Sequence, residues 1–287
     1  MPAERINLGH RALLDSRLKA AGALLSDYSF ANLYLFREAH DHRVLVEGSD
    51  VFITGRTYDG CRYVMPTADI RQGAVGPLLA AVPEGGVIFP LPEEWLGALK
   101  EHAAGTEFFD GDSDYIYTVE SLSTYRGQKL HGKKNLLNQF LALYSSKALP
   151  LTQERMDDAR AILQGWQEDT GEEAASTDYA PCREALELYD ELVLCGGIYY
   201  VGDEPAGFII GEELGRNMFV LHFAKGRRKF KGLYQYMFNH FARIMPKQYD
   251  LFNFEQDLGK QSLKIAKSSY DPDRMLHKYR VRVGARR

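Results

Sequence analysis

The sequence predicts a mixed α/β (α+β) chain in which one arrangement of elements is used twice. Three observations carry this expectation. At 287 residues the chain has room for one large domain or two ordinary ones. Each half shows the same order of patterns: a hairpin, then strand, helix, strand, helix and strand. Between the halves, the helical run Lys133–Tyr144 must stop before Pro150, because proline disfavours helix in the residue preceding it. The boundary is therefore placed at 148/149, giving domains 1–148 and 149–287.

The elements follow in order. In the first half Val44–Glu47 and Val51–Thr54 flank Gly48-Ser49-Asp50 as a hairpin. Strand Arg62–Met65, a helix near Ile70–Ala81, strand Val87–Phe89, helix Glu93–His102 and strand Tyr115–Val119 complete it. In the second half Thr152 caps a helix reaching Asp169, and a helix over Cys182–Leu194 is stopped by Gly196-Gly197. The turn Gly202-Asp203-Glu204-Pro205 joins strands Ile198–Val201 and Ala206–Glu212. Strand Asn217–Ala224 leads through a basic loop into helix Gly232–Met245, whose apolar residues Leu233, Tyr236, Met237, Phe241 and Ile244 repeat at helical spacing. Strand Tyr249–Phe254, helix Gly259–Ser268 and strand Met275–Val283 close the half. Strand runs with helices interposed late indicate sheets of mixed direction.

Composition narrows the function. Hydrophobic residues at 45% and charged residues at 26% are those of a soluble globular chain. Lys plus Arg total 35 against 39 Asp plus Glu, so any polyanion site must come from local patterning. Cys61, Cys182 and Cys195 lack metal-ligand spacing and read as reduced thiols of a cytoplasmic protein. The first residues lack a signal peptide's apolar run, and no 18-residue apolar stretch suits a membrane span. His40-Asp41-His42 has a metal-like look but no assignable third ligand, so a solvated loop is expected there and no metal site. Phosphate-loop, nucleophile-elbow, zinc-protease and dinucleotide fingerprints are missing, which leaves kinase, hydrolase and dehydrogenase readings without support.

The sharpest local feature is Lys225–Tyr234, where five of the seven residues from Lys225 to Lys231 are basic. It lies between a strand and a helix opening at Gly232. A helix start offers unpaired N–H groups and the positive dipole end, while Gly226 and Gly232 permit close approach of a phosphate. A solvated basic loop is the alternative.

Strand, basic glycine-containing loop, helix, strand, helix, strand is similar to the second part of a GNAT acyltransferase domain. In that superfamily the loop before the central helix cradles the pyrophosphate of acyl-coenzyme A, with the pattern Arg/Gln-x-x-Gly-x-Gly/Ala. Here Lys229-Phe230-Lys231-Gly232-Leu233-Tyr234 puts Lys in place of Arg/Gln and Tyr234 in place of the small residue. Longer strings extend the resemblance: Tyr28–Glu38, Asp114–Phe140, Leu192–Leu214 and Phe252–Val281. Together they resemble a bacterial family related to the C-terminal domain of phosphatidylglycerol lysyltransferases. That resemblance implies two tandem GNAT-like mixed sheets with flanking helices, as in the Fem-type aminoacyl-tRNA-dependent transferases, the first of them degenerate.

What the resemblance implies chemically is acyl or aminoacyl transfer, from acyl-CoA or an aminoacyl-tRNA onto a small-molecule or lipid-headgroup amine. Lys225, Arg227, Arg228, Lys229, Lys231, Gly232 and Tyr234 would hold the donor's phosphates. Backbone N–H groups along Phe219–Ala224 would steady the oxyanion. Glu255, in the string Asn253-Phe254-Glu255-Gln256-Asp257-Leu258-Gly259, is the expected general base, with helix capping as its alternative. Phe254 stands where the related family carries Arg. Asn253, Asp257 and Lys267 are expected to touch substrate, with helix capping as the alternative for Asp257 and plain surface charge as the alternative for Lys267. Tyr270 would protonate the leaving group or anchor the turn before Pro272. His222 is either base, oxyanion donor or a satisfied structural histidine. Further basic zones at Lys129, His131, Lys133 and Lys134, and from Arg274 to Arg287, suit a tRNA acceptor end or several nucleotide phosphates. A catalytically silent GNAT-fold binding module and a tRNA-binding accessory factor are the competing readings.

Overall fold

The computed structural model describes residues 3–215 and 217–284. In chain order the elements are β1 (Glu4–Arg5), α1 (Arg11–Ala21), α2 (Phe30–Leu35), α3 (Arg37–His40), β2 (Arg43–Glu47), β3 (Asp50–Arg56), β4 (Arg62–Pro66), α4 (Gly76–Ala81), β5 (Val87–Leu91) and β6 (Ala103–Phe108). There follow β7 (Asp114–Thr118), α5 (Val119–Thr124), α6 (His131–Leu143), β8 (Ser146–Pro150), α7 (Met156–Thr170), α8 (Tyr179–Glu187), β9 (Cys195–Val201) and β10 (Glu204–Gly215). The chain ends through β11 (Met218–Gly226), α9 (Leu233–Ile244), β12 (Leu251–Asn253), α10 (Gln261–Ser268), β13 (Arg274–Leu276) and β14 (Tyr279–Val283). Among the described residues no helix is long and apolar enough to cross a membrane.

These strands form two seven-stranded mixed sheets, in the orders β1-β2-β3-β4-β5-β14-β6 and β13-β7-β12-β11-β10-β9-β8. Each repeats one plan: an antiparallel meander, then one parallel pair, β4 with β5 in the first sheet and β11 with β12 in the second. The expected pair of GNAT-like sheets with flanking helices is the architecture found.

Two strands close the sheets differently from the sequence expectation. Tyr115–Val119 was assigned to the first sheet and Met275–Val283 to the second. Instead β7 pairs antiparallel with β12 in the second sheet, and β14 lies between β5 and β6 in the first. Local pattern specifies a strand but carries no address for its partner. The compact units are accordingly discontinuous: one holds the chain up to Asp114, Glu255–Lys264 and Met275 onward, the other Tyr115–Phe254 and Ile265–Arg274. The division drawn at 148/149 falls inside the second unit. Pro150 does follow the end of a helix, but the chain passes straight into β8, an edge strand where a missing N–H is tolerated.

Smaller differences have local causes. Glu93–Leu99 is 3-10 helix, and Ala103–Phe108, left without an element in the sequence reading, is a strand. Helix α8 ends at Glu187, and Gly196-Gly197 belong to β9 rather than to a helix stop. Gly196 packs against the backbone of Ile209 on β10, a spacing that excludes a side chain.

Each unit buries its own core. Leu14, Leu18, Ile53, Val64, Ile88 and Trp95 are shut away in the first, and Tyr117, Phe140, Ile198, Phe208, Val220 and Met237 in the second. Helix α9 turns Leu233, Met237 and Phe241 inward, so the predicted apolar stripe is the face that fixes it beside the sheet, whereas Ile244 at its end stays exposed.

Candidate functional site

In the second unit the site begins where two parallel strands part. Strand β11 pairs with β12 only from Met218 to Val220, then runs on to Gly226 while β12 ends at Asn253. Ligands of open α/β sheets sit at such carboxyl ends. β11 also carries a bulge. Ile210 pairs with Phe223 and Gly211 with Leu221, so His222 is the extra residue opposite that step. Its Nε2 lies 3.0 Å from Glu212 Oε1, with the imidazole fully enclosed. His222 is therefore held as a paired, buried side chain within the sheet.

The basic loop is less open than its charge suggests. Lys225 lies 2.5 Å from Asp178 and 3.5 Å above the Trp166 ring. Arg227 lies 2.9 Å from Asp169, and Lys229 pairs with Glu204. Among the described residues, Arg228 and Lys231 are the loop cations whose side chains meet no carboxylate, and both are exposed. The backbone donors are also occupied. Gly226 N–H donates to Tyr234 Oη (3.1 Å), Arg227 N–H to Ala206 O (2.9 Å) and Arg228 N–H to Asp169 Oδ2 (3.0 Å). Phe230 and Leu233 N–H groups bond to carbonyls within the loop. Tyr234 thus fills the place of the expected small residue. Burial pushes its phenol up to about 12, against the bond from Gly226, so it stays protonated. Gly232 opens α9 at φ 84°, and a β-carbon there would run into the Leu136 carbonyl of α6.

Beyond the parted strands stands an aromatic cluster. Phe254 packs 4.6 Å from Tyr117 and 5.0 Å from Phe238, and Phe238 meets Tyr270 edge-on at 5.3 Å. Phe254 therefore supplies apolar packing at the position where the resemblance implied a cation. Lys267 Nζ donates to Phe254 O at 2.6 Å, so this lysine is tied to the end of the β12 segment. Asn253 is wholly buried in the sheet. Tyr270 is buried, with Gln235 Nε2 donating to its oxygen at 2.8 Å. Burial raises the Tyr270 phenol well above its ordinary value, more than the Gln235 bond lowers it. The phenolic proton is retained and, with the oxygen already an acceptor, is the part left to give. Lys133 of α6 stands 3.9 Å over the same ring.

Glu255 and Asp257 belong to the first unit. Asn32 Nδ2 donates to Glu255 Oε1 at 2.9 Å, and Asp257 Oδ1 accepts from Gly259 N–H at 2.8 Å. Glu255 and Leu258 both sit at φ 57°, a left-handed conformation that side chains resist and that collects at functional sites. Next to them Lys278 Nζ is bound by Asp27 (2.6 Å), Asp114 (2.8 Å), Ser26 Oγ (2.9 Å) and Gln256 Oε1 (2.9 Å). All four resembling strings except Leu192–Leu214 border this cluster. Sequence reading missed Lys278, Asp27, Asp114 and Asn32, which carry no spacing signal; the convergence of three strings was the only hint.

His42 is buried in this unit and His40 is half-buried against it, so the segment is not a solvated loop. His42 Nδ1 is 2.8 Å from Leu33 O, its Nε2 is 2.8 Å from Tyr63 Oη, and His40 stacks on it. Since a carbonyl only accepts, Nδ1 carries the proton and Nε2 accepts from Tyr63. The basic tail also dissolves: Lys278 and Arg280 are buried among carboxylates, Arg282 meets Glu107 and Arg274 meets Asp273. Arg286 and Arg287 lie outside the described residues. Of the other basic zone, Lys129 is paired with Asp271 and Lys133 with Ser269, leaving His131 and Lys134 exposed.

Comparison with known proteins agrees with this architecture. A curated relative, an uncharacterized protein of Mycoplasmoides gallisepticum, is 23% identical over 180 residues, which are 61% of this chain and 57% of that protein. The chain thus matches little more than half the length of this relative. The crystal structure of a conserved protein of unknown function from Bacteroides thetaiotaomicron is similar with a TM-score of 0.85 at 24% identity, covering 99% of this chain and 100% of the other. The structure of L-PGS from Bacillus licheniformis is similar with a TM-score of 0.58 at 16% identity, over 90% and 93% of the two chains. The family model described as phosphatidylglycerol lysyltransferase, C-terminal, matches residues 20–282. The chain belongs to that family.

Proposed function

We propose that the chain transfers an aminoacyl group from an aminoacyl-tRNA to an amine or hydroxyl acceptor, using the second unit to hold the donor. Family and fold support acyl or aminoacyl transfer of the GNAT-like type. The choice of donor rests on one observation: the N–H groups of Gly226, Arg227 and Arg228 are already bonded within the protein. A compact pyrophosphate such as that of coenzyme A needs those donors turned toward it. A spaced ribose-phosphate backbone needs only exposed cations, and Arg228, Lys231 and Lys134 supply them. The family's name sets lysine and phosphatidylglycerol as the first cargo and acceptor to try.

In the reaction the acceptor heteroatom attacks the ester carbonyl of the donor. The new C–N or C–O bond forms as the ester bond to the terminal ribose breaks, and the departing ribose oxygen takes a proton. Tyr270 gives that proton and is replenished by the one the acceptor loses. Backbone N–H groups beyond Val220 on β11 face the developing oxyanion.

The test is binding of a lysylated acceptor-stem RNA, of coenzyme A and of acetyl-coenzyme A, to the chain and to its Arg228→Ala/Lys231→Ala form. Salt-dependent RNA binding that the double substitution weakens supports the reading. Coenzyme A binding that survives the substitution, with no RNA affinity, removes it.

A further inference from the structure

The second unit holds a cavity that the transfer reading does not use, on the face of its sheet turned away from α9. Tyr199 of β9 donates its hydroxyl to the Met237 carbonyl of α9 (3.2 Å), and successive residues of a strand point to opposite faces. Tyr200 therefore faces away from α9, and Lys147, its partner on β8, shares that face with Leu149 two residues on. The start of α7 lies over the same ground, and the space enclosed between them is about 290 Å³. That is room for roughly ten waters. Arg227 of the basic loop meets Asp169 at the far end of α7, a helix of 15 residues. At a rise of about 1.5 Å per residue the cavity stands roughly 20 Å from that loop.

Five charged side chains line this space: Lys147 and Arg155, and the carboxylates of Glu154, Asp158 and Asp203. Among the described residues none of them forms an ion pair, with one another or with any other group. Elsewhere in the chain even exposed cations such as Lys19 and Arg160 find a carboxylate. Here both signs line one cavity and stay out of ion-pair distance.

The two half-buried members are oriented by neutral groups instead. Tyr200 Oη donates to Asp158 Oδ2 at 2.6 Å, and Asp158 Oδ1 stays open. Burial, and then this carboxylate, push the phenol up to about 12, so it is the donor at neutral pH. Arg155 donates through Nη1 to Thr152 Oγ1 (2.7 Å) and Pro150 O (3.5 Å), which leaves Nε and Nη2. A lone anion in the cavity would meet three carboxylates, and a lone cation would meet Lys147 and Arg155, so neither ion alone fits. A ligand carrying both an ammonium and a carboxylate does. Leu149 and the Tyr200 ring add an apolar wall.

We propose that this cavity binds a free α-amino acid as its zwitterion, the ammonium on Asp158, the carboxylate on Arg155 and Lys147, and an aliphatic side chain against Leu149 and Tyr200.

Calorimetric titration of the full chain at pH 7 with L-leucine, 4-methylpentanoate and isoamylamine tests this. The last two are leucine without its ammonium and leucine without its carboxylate. Leucine is expected to bind, and each truncated analogue to bind at least tenfold more weakly. Asp158→Asn keeps an acceptor for Tyr200 but removes the charge, and is expected to weaken leucine binding at least tenfold. Arg155→Gln is expected to do the same. Because Arg155 also holds Thr152 ahead of α7, Lys147→Met serves as a further variant, at an exposed position with no ion pair to lose. Several-fold weaker binding with an unchanged circular dichroism spectrum is expected of it. No heat with leucine, an analogue that binds as well as leucine, or full affinity in both Asp158→Asn and Lys147→Met overturns the proposal.

Discussion

Lys278 Nζ lies 2.8 Å from Asp114 Oδ1, with the two side chains only 1% and 0% exposed. Asp114 also accepts from the Ser26 N–H (2.7 Å) and hydroxyl (2.9 Å), so one buried ion joins the early, middle and late parts of the chain in the first unit. A buried charge without its partner is far more costly than no charge at all. Lys278→Met is therefore expected to lower stability by about 3–5 kcal/mol, read from the urea midpoint. Adding Asp114→Asn should restore part of the loss. A single variant as stable as the parent would refute this account.

Protonation of His42 should set an acid limit to stability. Burial first, and then the neighbouring His40, depress its imidazole to about 4, while the unfolded chain keeps the ordinary 6.5. Between those values the unfolded state binds a proton that the folded state does not. The contribution is complete above pH 6.5 and is lost as pH falls toward 4, a change of roughly 3 kcal/mol. Urea unfolding at pH 7 and pH 5 should show the slope, and His42→Gln should flatten it. An unchanged slope in the variant would place the acid sensitivity elsewhere.

These two residues also mark where sequence reading stops. Helix α9, the β9–β10 hairpin and the basic loop were legible because periodicity, turn residues and charge runs are local signals. Lys278 sits in His277-Lys278-Tyr279-Arg280, where alternating polarity reads as a surface strand; only the insertion of β14 between β5 and β6 buries it. His42 beside Asp41 resembles a polar loop until Tyr63 and Leu33 are brought to it. The loop cations were counted correctly, yet their partners Asp169, Asp178 and Glu204 lie far outside the run. Charge counted along a string overstates what a ligand can meet.

The basic loop should accordingly divide by residue. Lys225→Met removes a buried ion pair and a contact with Trp166, and is expected to lower the melting temperature. Arg228→Ala and Lys231→Ala are expected to leave it unchanged while weakening RNA binding. Each lost phosphate contact should reduce the slope of log affinity against log salt by about 1. If all three substitutions act alike on both readouts, the division into structural and exposed cations is wrong.

At Gly232 the backbone itself is under test. Its φ of 84° and the nearness of the Leu136 carbonyl leave no place for a side chain. Gly232→Ala should cost more than the roughly 1 kcal/mol that separates these residues in an unstrained position. Thermal unfolding measures this directly, and a neutral substitution would mean that α6 yields at this contact.

Tyr270 separates catalysis from packing. If its only role is to anchor the turn before Pro272, Tyr270→Phe loses the bond from Gln235, costs about 1 kcal/mol and leaves turnover alone. If it protonates the departing ribose oxygen, the same change lowers kcat by about 10²–10⁴ with little effect on KM. The ring contacts with Phe238 and Tyr125 survive the substitution, so the fold should persist and the rate can be read cleanly. A leaving group that needs no proton supplies a second readout: with an activated aryl ester as donor, the variant should recover most of its rate. Recovery assigns the proton transfer to Tyr270, and an equal deficit with both donors assigns the residue to packing.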